Sequence, residues 1–148
     1  MSGRTIWSAL ALALLAALAP TARGGDDGPN TPPSVAMGVG TWNGKTALYA
    51  TVTDVDGASD LKGIGFDFLM DDGSTYKNPL AILLYFTFRK GLAWETVSDG
   101  KRIWFTKLPG NCASVKAVGT DSDLAVGSAV HTVPAEVRAG NPKFGVKR

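Results

Sequence analysis

The chain has 148 residues, with 15 basic and 13 acidic side chains and a formal net charge of +2. A nearly neutral total excludes a general electrostatic attraction to nucleic acid or to anionic lipid. The sequence contains one cysteine, Cys112, which excludes an internal disulfide, so a packed core must hold the fold together.

Residues 1–24 are predicted to be a secretory signal peptide that forms a helix. Arg4 gives the segment its positive start, and residues 9–19 contain only leucine and alanine. Ala22 and Gly24 are the small residues expected before a cleavage site. The apolar run is too short for a bilayer, which needs roughly 20 helical residues. We therefore expect a secreted, periplasmic or cell-surface protein with no membrane span after cleavage.

The composition then changes in two places. Residues 25–33 contain glycine, aspartate, asparagine, threonine and proline, and this composition predicts a flexible linker. The folded domain is predicted over residues 34–133. Pro134 ends the strand-like alternation, so residues 134–148 are expected to form a basic, loosely tethered C-terminal tail.

Within the domain the apolar residues alternate with a period of two, which is typical of half-buried strands. Leu48 and Val52 share one face of the first clear strand, and Phe66 and Phe68 share one face of the next. We expect all four side chains to point into the core. Residues 92–97 and 101–106 flank a turn and predict one hairpin, and residues 115–119 and 126–133 predict another.

Residues 82–88 are almost uniformly apolar, without a clear period. This segment is interpreted as a strand covered on both sides, or as an aggregation-prone segment flanked by the protective charges of Arg89 and Lys90. No helix is expected after the leader, because no stretch sustains apolar spacings of three and four. Seven to eight short strands in about 100 residues predict an all-β antiparallel sandwich.

Three segments resemble bacterial extracellular immunoglobulin-like domains, including the polycystic-kidney-disease-type, cadherin-like and fibronectin-III-like modules. They are the sequences NTPPSV at residues 30–35, ATVTDVDG at residues 50–57 and the stretch over residues 114–121. The resemblance implies an immunoglobulin-like sandwich. With the predicted export, it favours a non-catalytic binding or structural module of the cell surface or periplasm.

Catalytic residues are scarce in this sequence. His131 is its one histidine, so nucleophile activation and multi-histidine metal sites lack the residues that they need. Paired carboxylates would still allow glycoside hydrolysis, which leaves a small secreted hydrolase as an alternative. We expect a domain that is not an enzyme, with an unknown protein or polysaccharide as partner.

The tryptophans suggest a second alternative, a carbohydrate-binding module. Trp104 lies between Ile103 and Phe105, so it faces outward if those two residues face the core. Together with Trp42 and Trp94 it could offer flat rings for stacking on sugars. The opposing interpretation is that each tryptophan fills the core or covers a sheet edge.

Aspartates are concentrated in two predicted loops. Asp54, Asp56 and Asp60 lie within seven residues, a spacing similar to calcium-binding loops. An immunoglobulin-like strand order would bring Asp121 and Asp123 to the same end of the sandwich. Calcium is therefore the candidate cofactor. The opposing interpretation is that these are ordinary turn aspartates, which bond to their own backbone.

Overall fold

The computed structural model describes residues 30–145. The predicted signal peptide, its cleavage point and most of the predicted linker lie outside these residues. Eight strands are found in the described part of the chain: β1 (Ser34–Trp42), β2 (Lys45–Thr53), β3 (Leu61–Met70), β4 (Thr75–Lys77), β5 (Leu92–Val97), β6 (Gly100–Phe105), β7 (Cys112–Asp121) and β8 (Val126–Thr132). Two helices, α1 (Leu80–Phe88) and α2 (Ala135–Arg138), and a 3-10 turn at Ala58–Asp60 complete it.

The strands form two four-stranded antiparallel sheets. The first has the order β1-β2-β6-β5, and the second has the order β4-β3-β7-β8. This is an immunoglobulin-type strand order, with β4 added at the edge of the second sheet. The predicted all-β antiparallel sandwich is therefore confirmed.

The core lies between the two sheets and is centred on three phenylalanines. The ring of Phe105 in β6 meets the rings of Phe66 and Phe68 in β3 edge to face, with centroids 5.0 and 6.2 Å apart. Leu48 and Val52 in β2 are fully buried. The inward orientation predicted for these β2 and β3 side chains is confirmed, because the alternation in each strand matches its buried face.

The segment predicted as a buried strand is instead helix α1. Its leucines, alanine and phenylalanines are compatible with a helix, and a helix satisfies its own backbone hydrogen bonds without a neighbouring strand. The connection from β4 to β5 has to pass from one sheet to the other, and α1 makes that crossing. Ile82 and Phe86 anchor it to the core. A uniformly apolar run carries no period, so the sequence pattern could not distinguish the two structures.

The C-terminal segment packs on the domain as far as Gly145, whereas loose tethering was expected. Val137 in α2 is fully buried in the core. The Arg138 Nε donates a hydrogen bond to the carbonyl of Gly110 at 3.0 Å, and the Phe144 amide donates one to Asn111 Oδ1 at 2.9 Å. The segment is docked by the buried Val137 side chain, by these hydrogen bonds and by the Phe144 ring, which meets the Tyr76 ring edge to face.

Cys112 begins β7 and its side chain is fully buried. Burial raises the pKa of its thiol to about 12. A buried thiol that stays protonated is a poor nucleophile, so Cys112 behaves as a small apolar core residue.

Candidate functional site

Three connections meet at one end of the sandwich, which we call the acidic pole. They are the loop after β2 (residues 54–60), the β5–β6 turn (residues 98–99) and the β7–β8 turn (residues 122–125). The loop after β2 contacts the β5–β6 turn, where the Asp54 amide donates to the carbonyl of Asp99 at 2.9 Å. The same loop reaches the β7–β8 turn, where the Ser122 amide donates to the carbonyl of Asp60 at 2.9 Å. The strand order therefore brings together loops that are far apart in the sequence.

Three of the five predicted metal ligands form a compact group at the acidic pole. Each of Asp54, Asp56 and Asp60 offers one carboxylate oxygen, and these oxygens all lie within 4.8 Å of one another. Asp54 is fully buried, and its Oδ1 accepts a hydrogen bond of 2.8 Å from the Asp56 amide. Three carboxylates at this separation could share one cation.

The other two predicted ligands lie close by but outside this group. The Asp121 side chain is fully buried, and its Oδ1 accepts hydrogen bonds of 2.9 Å from the amides of Asp123 and Ala125. Its Oδ2 accepts a hydrogen bond from Asn30. The side chain of Asp123 is exposed. Asp121 therefore organises the β7–β8 turn, and its carboxylate already has donors.

Burial, and to a smaller extent the neighbouring like charges, disfavours ionisation of Asp54. Burial raises the pKa of Asp54 from 3.8 to about 6, and the charges of Asp60, Asp56 and Asp121 add to the rise, while the hydrogen bond from Asp56 opposes it. The pKa in the folded state thus lies above that of the unfolded chain. Without a bound cation, the folded state binds more protons than the unfolded chain between these two pKa values. The stability of the fold therefore falls as the pH rises from 3.8 to about 6.

A sixth aspartate at the acidic pole was not recognised as a candidate from the sequence. Asp99 lies in the β5–β6 turn with a positive φ of 63°. Burial raises the pKa of its carboxyl group, and its Oδ2 is buried without a hydrogen-bond partner among the described residues. The turn itself was predicted, but only the pairing of β6 with β2 places it beside Asp54.

A second candidate site is an aromatic cluster on the outer face of the first sheet. The rings of Trp42 and Trp104 stack with centroids 5.3 Å apart and an angle of 27°, and Tyr49 tilts against Trp104 at 5.3 Å. These rings lie over glycines: a Cβ at Gly38 would come within 2.7 Å of the Tyr49 hydroxyl, and one at Gly40 within 3.2 Å of the Trp104 ring. Trp104 points away from the core, yet only 8% of it is exposed, since its neighbours cover it.

Polar groups border this aromatic cluster. The Trp104 indole donates to Glu95 Oε2 at 3.0 Å, and Arg102 lies 3.8 Å from the same carboxylate. Arg102 Nε also donates to Thr51 Oγ1 at 2.8 Å, and its guanidinium lies 5.7 Å from the centre of the Tyr49 ring. The outer face is therefore held by an ordered network of hydrogen bonds and ring contacts.

Trp94, the third predicted sugar-binding residue, does not belong to this cluster. It lies on the edge strand β5 opposite Ile103, on the face that looks toward the second sheet, and it is 59% exposed. It borders a groove of about 390 Å³ that Phe66, Leu83 and Lys101 also line. The three tryptophans therefore form two separate surfaces.

Helix α1 leaves a row of large apolar side chains in solvent. Leu80, Leu84 and Phe88 are 65%, 48% and 84% exposed. They are four residues apart, so they share one side of the helix, which we call the α1 surface. The sequence pattern gives no sign of this surface, because a uniformly apolar run carries no helical period.

Comparisons with known proteins identify no relative: no family model, no curated protein and no solved structure matches this chain. Within residues 30–145, no helix has the length and apolar character needed to span a bilayer.

Proposed function

We propose that this chain is an exported, non-catalytic binding or structural module of the cell surface or periplasm, which holds a protein partner through the α1 surface. The observation that carries the proposal is the exposure of Leu80, Leu84 and Phe88 on one side of a nine-residue helix. A row of exposed large apolar side chains on one side of a helix is typical of an interaction site.

The surroundings of α1 support a partner segment of particular chemistry. The groove beside Trp94 is also lined by Leu83 of α1, so it offers a place for an apolar side chain of the partner. Arg89 and Lys90 follow the helix directly, and Lys101 lines the groove. A segment that combines apolar and acidic residues would complement both features.

The non-catalytic part of the proposal is supported by the surroundings of the reactive side chains. His131 Nδ1 lies 2.8 Å from the carbonyl oxygen of Thr132, a backbone group. Cys112 is buried and protonated. The clustered Asp54 is fully buried, so a glycosidic bond would have no access to it.

A photo-crosslinking amino acid at position 84 or 88 tests the binding proposal in cells that export the protein. We expect one crosslinked product of defined mass, and we expect Phe88→Asp to reduce its yield from position 84 by about tenfold, since a charge at an apolar contact opposes burial. The matched control is the same crosslinker at Lys116, an exposed position in β7. Equal products from position 116, or none from position 84, would contradict the proposal.

Carbohydrate binding is a second candidate, favoured by the stacked rings of Trp42 and Trp104 on the outer face. Trp42→Ala is then expected to weaken retention on insoluble cellulose, chitin or xylan by about 30-fold, as for an aromatic hot spot. Trp94→Ala is the control, because Trp94 lies on the other surface. Equal retention of the two variants, or no retention of the unmodified chain, would exclude this candidate.

A further inference from the structure

We propose that Asp54, Asp56 and Asp60 form a calcium site at the acidic pole. Two ligand oxygens bound to one Ca²⁺ at about 2.4 Å can be at most about 4.8 Å apart. The candidate oxygens of these three carboxylates lie within 4.8 Å of one another. The loop after β2 therefore already holds them close enough to bind a single ion.

A second observation is independent of this spacing. The Asp54 side chain is fully buried, and its Oδ2 has no hydrogen-bond donor among residues 30–145. The Oδ2 of Asp60 is also buried without such a donor. A buried carboxylate oxygen requires a hydrogen-bond donor or a cation.

The protein itself supplies no cation for these two groups in the described part of the chain. The ion pairs recorded there join Arg102 with Glu95 and Arg138 with Asp71. The nearby Lys62 directs its ammonium group to the carbonyl of Ser59 at 3.1 Å. A bound ion would provide the missing positive charge.

The ligand set favours calcium over other cations. It contains carboxylate oxygens and neither histidine nor cysteine, so zinc and copper lack their preferred ligands. Magnesium requires a near-ideal octahedron and gives up its water reluctantly, whereas calcium accepts irregular oxygen sites. Backbone carbonyls and water would complete the six to eight ligands that calcium takes.

Calcium at this position would stabilise the connection between the two sheets. Asp54 follows β2 of the first sheet, and Asp60 directly precedes β3 of the second. Ser122 donates both its amide and its hydroxyl to Asp60, so the effect would extend to the β7–β8 turn. The ion would thus offset two of the three negative charges and hold the loop that joins the sheets.

Thermal unfolding of the full chain tests the site, measured in chelator and in 10 mM CaCl₂ at constant ionic strength. Extracellular calcium modules bind with dissociation constants of about 0.1 to 1 mM, so this concentration is a tenfold to hundredfold excess. We expect calcium to raise the Tm by about 5 to 10 °C and MgCl₂ to raise it by less than half as much. Coinciding curves in chelator and calcium would overturn the proposal.

Two variants, each of which removes one negative charge, distinguish a defined site from general charge screening. Asp54→Asn is expected to abolish the calcium-dependent rise, whereas Asp123→Asn, in an exposed side chain outside the group, should keep it. An equal loss in both variants would indicate general charge screening and would refute a defined site. If Asp54→Asn does not fold, Asp60→Asn takes its place.

Calorimetric titration of the unmodified chain with CaCl₂ gives a measurement that depends on no variant. One ion bound per chain is expected. Absence of binding at millimolar calcium would also refute the site.

Discussion

Replacing Phe66 by alanine is expected to lower the free energy of unfolding by about 3 to 5 kcal/mol. The Phe66 side chain is 6% exposed, and its ring lies 5.0 Å from that of Phe105 at an angle of 89°. Its removal takes away a large apolar surface and leaves a cavity between the sheets. A domain of this size has only about 5 to 15 kcal/mol of stability, so the variant should be marginally folded. Urea unfolding followed by tryptophan fluorescence measures the change.

Leu69→Ala is the matched control in the same strand. Leu69 is 40% exposed and points to the opposite face of β3. We expect its replacement to change stability by less than about 1 kcal/mol, since little apolar area is lost. If Leu69→Ala were the more damaging variant, β3 would be paired one residue out of register, because such a slip exchanges its two faces.

The second large effect is expected for Gly100→Ala at the start of β6. A Cβ at this position would lie 1.9 Å from the carbonyl oxygen of Val52 and 2.8 Å from the Cα of Thr53. Both atoms belong to the backbone of β2, which pairs with β6 at this point, so they cannot move without breaking that pairing. We expect a loss of about 3 kcal/mol or more, at the upper end of overpacking effects. Urea unfolding again gives the value.

Gly63→Ala tests whether this loss comes from the close approach of the two strands. Gly63 is also in a strand, but a Cβ there meets no atom within 4 Å. Alanine restricts the unfolded chain more than glycine does, so this variant should be neutral or more stable by up to about 1 kcal/mol. Similar losses at both positions would mean that β2 and β6 do not approach as closely as described.

The two predictions have different origins. The burial of Phe66 follows from the alternation of apolar residues in β3, which is visible in the sequence. The close approach at Gly100 depends on the pairing of β6 with β2, whose residues are about fifty positions apart. A glycine in a predicted turn gives no indication of which strand will lie against it.

The candidate sites also combine features that the sequence reveals with features that only the fold produces. Asp54, Asp56 and Asp60 belong to one short loop, so their clustering could be anticipated from spacing alone. Asp121 is likewise held locally, by amides two and four residues further along its own turn, whereas Asp99 lies beside Asp54 only because of the order of the strands. Likewise, the outward orientation of Trp104 follows from its neighbours in β6, but its burial depends on Trp42 in β1.

The β-rich class, the inward faces of β2 and β3 and the acidic loop could be predicted from the sequence, because each depends on neighbours within a few residues. The helix over residues 80–88, the docking of the C-terminal segment by Val137 and the separation of the tryptophans into two surfaces arise only in the folded domain. An apolar run without a period is compatible with either a helix or a strand. The surface that the rest of the chain offers to this run selects the helix or the strand. The same surface determines which of its side chains stay in solvent.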